Sequence, residues 1–370
     1  MNKPLILLGN GARHNPALLD AVKASGIPVM TTWMAMDLIP DDHPSFCGRP
    51  GLIGQRAANI IVQKASILYV FGARLDNETI GYRYDNFVPN GSVVVFDADA
   101  AELNKLPPYW TRSTCDLRAS MPTFHEPADP DWLQWCKSLY SRLGVEYDPH
   151  PDYVDPPMFI DWLSGITRPG DVFAIGSSGQ APCTFLQGFK VKDGQRIVNG
   201  STYGAMGADI PMSIGACIAS GKRRTICVTG DGGFMLNMQE LEVVSRLELP
   251  IKYFVYSNGA YNSIRQAQLK RFGRVTAADP DSGFTIPELD YVGACFSIPY
   301  TYIPDNEYLL DYDRPDFDDD RPHIFELNIS PDYVQYPRVD SSMSAAGVFQ
   351  PDSFEDMTPK LDELDELMRY

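Results

Sequence analysis

The chain has 370 residues, 44% hydrophobic and 21% charged, which is enough for two or three soluble domains that each bury a core. A formal net charge of −17 argues against a nucleic-acid partner and against an anionic membrane surface, although solubility alone accounts for it. No stretch has the length and apolarity of a membrane span, and MNKPLILLGNGARHN turns polar too early for a secretory signal. The cysteines at 47, 115, 136, 183, 217, 227 and 295 form no CxxC, a reduced pattern that predicts a cytoplasmic protein. Cys217 and Cys227 sit in apolar runs and read as small core residues. The five histidines are too scattered to suggest a histidine metal site.

From Pro4 to about Arg118 strand-like and helix-like stretches alternate. Leu5–Leu8 predicts a strand ending at Gly9-Asn10-Gly11, Asn15-Pro16 opens a helix to Ser25, and Ile27–Thr32 is a second strand. A helix over Ile53–Ala65, a strand over Ile67–Phe71 and another over Ser92–Phe96 continue the alternation. Such order predicts a parallel sheet covered on both faces. The loop GNGARH falls short of G-x-G-x-x-G and does not by itself argue for a dinucleotide. Residues 121–157 carry repeated prolines around an amphipathic stretch, Asp131–Leu143, and read as a linker with one docked helix.

The second domain, 158–340, predicts a strand over Asp171–Ile175 leading into Gly176-Ser177-Ser178-Gly179-Gln180. Its centre is Thr225–Gln268. The β-branched run Thr225–Thr229 reads as a buried strand that stops at Gly230-Asp231-Gly232-Gly233. A helix is expected from Asn237 to Leu247, with Asn237 as N-cap and Glu240 completing a capping box. Ile251–Tyr256 is the next strand, ending at Ser257-Asn258-Gly259. A right-handed β-α-β unit places Asp231 and Asn258 just past the carboxyl ends of neighbouring parallel strands. A carboxylate and an amide oxygen are hard ligands suited to Mg²⁺ or Ca²⁺, and Mg²⁺ completes its octahedron with phosphate oxygens and water. The amides of Gly232 and Gly233 could hold those phosphates, so the expectation is a metal-diphosphate site. The fold class follows as α/β, with two doubly wound parallel-sheet domains. Asp311–Asp320 reads as a solvated acidic loop, and 341–370 as a polar tail with a helix near Leu361–Met368.

Gly-Asp-Gly followed by Asn258, with the flanks FMLNMQEL, ELPIK and SIRQAQ, resembles the thiamine diphosphate (ThDP) enzymes and most of all their acetolactate synthase branch. Residues 1–120 resemble the family's central domain through PVMTTWMAMDLIPDDHPSFCGRPG, YVFGARLDNETIG and VVFDADAAELNK. That domain binds FAD in some members and lacks it in others, and both readings stay open. The resemblance implies metal ligation by Asp231, Asn258 and the Ala260 backbone. It assigns cofactor contacts to Ser178, Gln180, Gly204, Met206, Gly230, Gly232, Gly233, Asn258, Ala260 and Tyr261. Gly204 would accept from the aminopyrimidine amine and Met206 would keep the cofactor bent. Ala181 stands where the family usually has His, which leaves one phosphate contact in doubt. Ile264 and Ala267 would line the acceptor pocket, with Ala267 replacing a typical Trp. The variant around Ser282-Gly283 and Pro287 is similar to ThDP proteins among surface-polysaccharide enzymes.

Family catalysis also needs a glutamate from a pyrimidine-binding domain, and no part of the sequence resembles that domain. The expectation is therefore a heteromer with paired copies, in which a second polypeptide brings the pyrimidine-binding domain and its catalytic glutamate. Met1 as an apparent start favours this split over a truncated chain. The resemblance implies a ThDP- and Mg²⁺-dependent carboligase that decarboxylates a 2-oxo acid such as pyruvate. The acyl unit passes to an aldehyde or ketone, with a keto-sugar as one candidate acceptor. The alternatives are a 2-oxo acid decarboxylase subunit and a non-catalytic scaffolding subunit; the intact Gly-Asp-Gly…Asn motif speaks against the latter. The tail of relatives can close over the active site, and a plain surface tail is the other reading.

Overall fold

In the computed structural model, which describes residues 2–120, 122–123, 129–176, 179–200, 204–343 and 349–368, the apolar runs pair into two separate parallel sheets. One unit comprises residues 1–145 and 336–370, the other residues 146–335. Both have the α/β architecture expected from the alternation of strands and helices. No helix among the described residues is long and apolar enough to cross a membrane.

The first unit contains β1 (Pro4–Leu8), β2 (Val29–Thr31), β3 (Ile67–Phe71), β4 (Ser92–Asp97) and β5 (Thr111–Thr114), ordered β2-β1-β3-β4-β5. Alternate side chains of β1 enter different clusters, Leu5 and Leu7 one and Ile6 and Leu8 the other, because both faces of the sheet are covered. Asn15 caps the helix Pro16–Ala24 by accepting from the Leu18 amide at 3.0 Å. Gly9 and Gly11 let the loop after β1 lie on the loop after β3. A Cβ on Gly9 would stand 2.1 Å from the Gly72 carbonyl oxygen, and one on Gly11 2.9 Å from Gly72 Cα. Strand β5 was not expected, since its sequence TRST has no apolar run to announce it.

Two stretches pack more closely than the sequence suggests. Helix Pro130–Arg142 lies within the first unit, burying Trp132, Cys136 and Leu139, with Trp132 Nε1 donating to the Pro4 carbonyl at 2.8 Å. The segment from Tyr336 also belongs to that unit. Phe354, Met357 and Leu367 join its core, and Phe354 meets Phe87 edge-on at 5.6 Å. Arg56 donates to the Met357 carbonyl at 2.9 Å, and Asn59 to that of Phe354 at 3.1 Å. These partners for buried polar groups make the segment part of the core rather than a surface tail. Its helix is short, Leu364–Leu367.

The second unit contains β6 (Val172–Ile175), β7 (Arg196–Asn199), β8 (Thr225–Gly230), β9 (Ile251–Ser257), β10 (Tyr300–Ile303) and β11 (His323–Asn328), ordered β10-β11-β9-β8-β6-β7. The chain leaves β6 towards β7 and returns on the other side to β8, so the topological switch point lies between β6 and β8. At the opposite end of this sheet the acidic loop is anchored rather than merely solvated. Lys252, with its side chain fully buried, donates to Asp319 Oδ1 at 2.6 Å and to the carbonyls of Asp316 and Arg321. Arg224 bridges Asp171 at 2.7 Å and Asp318 at 3.0 Å while its guanidinium stacks 4.4 Å from the Phe317 ring. The loop supplies the charges these two buried cations need.

Candidate functional site

The loops after β6, β8 and β9 surround a cleft of about 260 Å³ at the switch point. Three helices begin in its wall. Gln180–Gly188 follows Gly179, Asp231–Leu236 follows Gly230, and Asn262–Phe272 follows Tyr261, and none of the three has a side-chain cap. Elsewhere in the same unit Asp155 caps Pro156–Ile166 by accepting from Met158, and Asp305 caps Asn306–Asp311 by accepting from Tyr308, each at 2.8 Å. Uncapped first turns offer amides and the positive end of the helix dipole, the surroundings an anion favours.

The helix after β8 starts six residues earlier than the capping signature predicts. Gly230 turns straight into Asp231–Leu236, and only a 3₁₀ turn, Met238–Glu240, follows before Leu241–Arg246. Asn237 caps no helix with its side chain; its Nδ2 donates to the Gly207 carbonyl at 2.7 Å, tying the two loops together. Gly232 and Gly233 thus lie in the first turn of a helix, where their amides belong to its N-terminal donor set.

Asp231 is only 3% exposed. Its Oδ1 accepts from the Gly232 amide at 2.7 Å, and its Oδ2 from the amides of Asn258 at 3.0 Å and Gly259 at 2.8 Å. Burial pushes its pKa up to about 7 against the pull of those three amides. Among the described residues no lysine or arginine pairs with it, so a carboxylate without a countercharge is held at the cleft. Asn258 Oδ1 accepts from the Ala260 amide at 3.2 Å, and its Nδ2 donates to Gln180 Oε1 at 3.3 Å. Gln180 in turn donates to the Tyr333 carbonyl at 2.6 Å. No cluster of three or more His, Cys, Asp or Glu able to hold a metal occurs among the described residues. One buried carboxylate, one amide oxygen and a nearby backbone carbonyl fit a hard cation whose remaining ligands are phosphate and water.

The glycines here are set by their neighbours. A Cβ on Gly232 would lie 2.4 Å from the Tyr261 ring and 3.0 Å from Met206 Cε, and Tyr261 is itself stacked on Phe284 at 3.9 Å. A Cβ on Gly233 would come within 2.7 Å of the Asp209 carboxylate, and one on Gly176 within 2.3 Å. Asp209 is buried and accepts from Thr229 Oγ1 at 2.8 Å.

Of the residues singled out from sequence, the cleft wall unites Gln180, Met206, Gly230, Asp231, Gly232, Gly233, Asn258, Ala260, Tyr261 and Ile264. Met206 and Ile264 stand at its mouth, 38% and 46% exposed. Gly204, at φ 59°, and Ala267 are exposed and outside that wall. Ser178 lies outside the described residues. Sequence reasoning missed Asp209, Thr229 and Asn262, which also line the cleft. Asp209 did leave a signal, a lone acid in the small-residue run GAMGADIPMSIGA, whereas Asn262 is one polar residue among many.

Two parallel-sheet units, one with a cleft suited to an anion at its switch point, are the architecture of an α/β ligand-binding protein. Residues 1–122 match the thiamine pyrophosphate enzyme central domain, and residues 177–300 the thiamine pyrophosphate enzyme C-terminal TPP binding domain. The chain belongs to the thiamine pyrophosphate enzyme family, and within it to the acetolactate synthase-like members. It is 32% identical over 288 residues to the acetolactate synthase isozyme 2 large subunit of Escherichia coli K12, covering 75% of this chain and 52% of that protein. It is 29% identical over 273 residues to the isozyme 1 large subunit of the same organism, covering 72% and 48%. It is also 29% identical over 280 residues to an acetolactate synthase of Mycobacterium bovis, covering 72% and 45%. The chain spans about half the length of the curated relatives it matches.

Proposed function

We propose that this chain supplies the diphosphate- and metal-binding half of a ThDP- and Mg²⁺-dependent carboligase that decarboxylates a 2-oxo acid and passes the acyl unit to an aldehyde or ketone. The observation that carries the reading is the buried, uncompensated Asp231 beside three uncapped helix starts in one cleft. Asp231, Asn258 and the Ala260 carbonyl would hold the cation. The Gly233 amide, and those that open the helices at Gln180 and Asn262, would hold the diphosphate, while the Gly232 amide donates to Asp231 Oδ1 and steadies that ligand. Bound thiamine diphosphate would supply a carbon nucleophile that also stabilises the charge left by loss of CO₂. Gly232 keeps the cleft open between Tyr261 and Met206, and Met206 at the mouth would set the bend of the cofactor. Gln180 holds the Asn258 amide from behind, which fixes where that ligand can turn. The exposed face carrying Ile264 and Ala267 would border the acceptor. With a methyl group at 267, that border suits an acceptor larger than a second 2-oxo acid, such as a keto-sugar. The glutamate that completes acid-base catalysis would come from a pyrimidine-binding domain on a partner polypeptide, in a cytoplasmic hetero-oligomer.

Copurification with interacting proteins, followed by release and identification of bound small molecules, tests this reading. Thiamine diphosphate with about one Mg²⁺ per chain, and 2-oxo acid turnover only in the assembled complex, are expected. Robust turnover by residues 1–370 alone would overturn the division of labour. A complex that carries no thiamine diphosphate and cannot be loaded with it would overturn the function.

A further inference from the structure

Asn262 opens the helix Asn262–Phe272, lines the cleft and is 4% exposed. Its Nδ2 donates to Gln180 Oε1 at 3.2 Å and to the Tyr333 carbonyl at 3.1 Å. Its Oδ1 is buried and finds no hydrogen-bond partner among the described residues. The two halves of this amide therefore have different standing. The donor half is redundant: Gln180 Oε1 also receives Asn258 Nδ2, and the Tyr333 carbonyl also receives Gln180 Nε2 and Gln266 Nε2, both at 2.6 Å. The acceptor half is a buried oxygen left without a donor, which destabilises a ligand-free protein. A residue that contributes little to the fold and carries that cost is explained by a ligand that brings a donor.

We infer that Asn262 Oδ1 accepts a hydrogen bond from water bound to the divalent cation of this cleft, making Asn262 a positioning residue for the metal. The inference rests on the reading of Asp231 and Asn258 as metal ligands. Fully ionised diphosphate offers acceptors only, so it cannot satisfy Oδ1. A cation-bound water is polarised towards donation and belongs to the incomplete octahedron that the three protein oxygens leave. Gln180 joins the side chains of Asn258 and Asn262 through one oxygen, which puts Asn262 directly beside a proposed ligand.

The test is saturable Mn²⁺ binding to the chain copurified with its interacting proteins, in the presence of thiamine diphosphate, followed by electron paramagnetic resonance, together with the melting temperature of the ligand-free protein. Asn262→Ala should weaken Mn²⁺ binding on the order of tenfold, the worth of one such hydrogen bond. Its ligand-free melting temperature should equal or exceed that of the wild type, because the donors it removes are duplicated. Unchanged Mn²⁺ binding in Asn262→Ala alongside loss in Asp231→Ala would overturn the inference and leave the metal site standing. A ligand-free Asn262→Ala protein that melts several degrees lower would make the side chain a structural one and overturn it as well. Mn²⁺ binding that survives Asp231→Ala, or that is absent in the wild type, would overturn both the inference and the site.

Discussion

The two sheets share a layout and differ in what they do with it. Each has a switch point between its first strand and the strand that returns on the other side, β1/β3 in one unit and β6/β8 in the other. In the first unit that crevice is closed by backbone: the loop carrying Gly9 and Gly11 lies against Gly72 and Ala73 with no room for a Cβ. Arg13 in the same loop pairs with the buried side chain of Asp37, which ties it to the loop after β2 on the other side. In the second unit the corresponding loops stand apart, and glycines there meet side chains, Tyr261 and Met206 around Gly232 and Asp209 around Gly233. Parallel topology therefore offers a site, and loop chemistry decides whether it is used. The glycines of the first unit serve packing; those of the second frame a cleft. FAD, which the resemblance leaves open for the first unit, would have to be held somewhere other than this closed crevice.

The sharpest way to break the contrast is to remove the charge that defines the open side. Asp231→Ala deletes the one anionic ligand proposed, and Mg²⁺-dependent retention of thiamine diphosphate should fall by at least about 100-fold, since even outer-shell losses cost 10- to 100-fold. Far-ultraviolet circular dichroism should be unchanged. Equilibrium dialysis decides the matter, and unaltered affinity in a folded variant would sink the assignment.

Matched glycine substitutions test the contrast from both sides. Gly9→Ala forces a methyl group to 2.1 Å from a carbonyl oxygen in rigid backbone, so it should destabilise the first unit by about 3 kcal/mol or more in denaturant titration. Gly232→Ala meets an aromatic ring and a flexible methionine end instead. Its stability loss should be smaller, about 1–2 kcal/mol, while cofactor retention drops at least tenfold as Tyr261 is pushed from its place. If both variants lose stability equally and Gly232→Ala still holds the cofactor, the distinction between packing and cleft glycines is void.

What could be read in advance follows the same division. The β-α-β unit around Asp231 and Asn258 was legible because its strands are apolar runs and the two residues proposed as ligands fall at strand ends. The start of the following helix was not. The capping box at Asn237 and Glu240 is a local signal, and it was overridden by Gly230, which turns directly into a helix whose first turn faces the cleft. The role of the C-terminal segment was hidden because Phe354, Met357 and Leu367 are isolated apolar residues in acidic sequence. The helix Arg56–Lys64, which bonds to the carbonyls of Phe354 and Met357, lies some 300 positions away. Asn262 could not have been picked out at all, since an unmatched acceptor is a property of three-dimensional surroundings and not of residue type.

The far end of the second sheet supplies a control, being polar and buried yet remote from the strand ends that form the cleft. Lys252→Met removes a fully buried ammonium and its bond to Asp319, whose side chain is 26% exposed and can rehydrate. A loss of about 2 kcal/mol is expected, because the methionine fills the channel and leaves no buried charge, although the carbonyls of Asp316 and Arg321 lose a donor. Cofactor retention should not change. A large fall in retention at wild-type stability would mean that the two ends of the sheet are coupled.

The smallest effect expected belongs to His323, the first residue of β11 at this same end. It is 3% exposed, its Nε2 lies 2.8 Å from Thr301 Oγ1, and its ring stacks on Phe325 at 4.3 Å. Burial lowers its pKa from 6.5 to about 4, with the nearby charges of Lys252 and Arg321 adding to the effect and those of Asp316 and Asp319 opposing it. Between pH 6.5 and 4 the unfolded chain thus binds a proton at this residue that the folded chain excludes, and the contribution of His323 to stability falls as the pH drops through that window. Linkage puts the loss at about 1 kcal/mol between pH 7 and pH 5.5. Asp319 acts in a lower range. Its pKa is held down to about 2, chiefly by Lys252 and Arg321 working against burial, so its contribution persists above its unfolded value and disappears only as the pH falls towards 2. His323→Phe should remove this loss, so that the variant gains about 1 kcal/mol relative to the wild type on going from pH 7 to 5.5, while leaving the strongly acidic limb in place. Urea titrations at pH 5.5 and 7 on both proteins read the difference between them, in which the opposing gain from Asp231, whose raised pKa makes the folded protein the better proton binder in this range, cancels; a His323→Phe protein whose stability changes between the two pH values as the wild type's does would show that His323 does not titrate there.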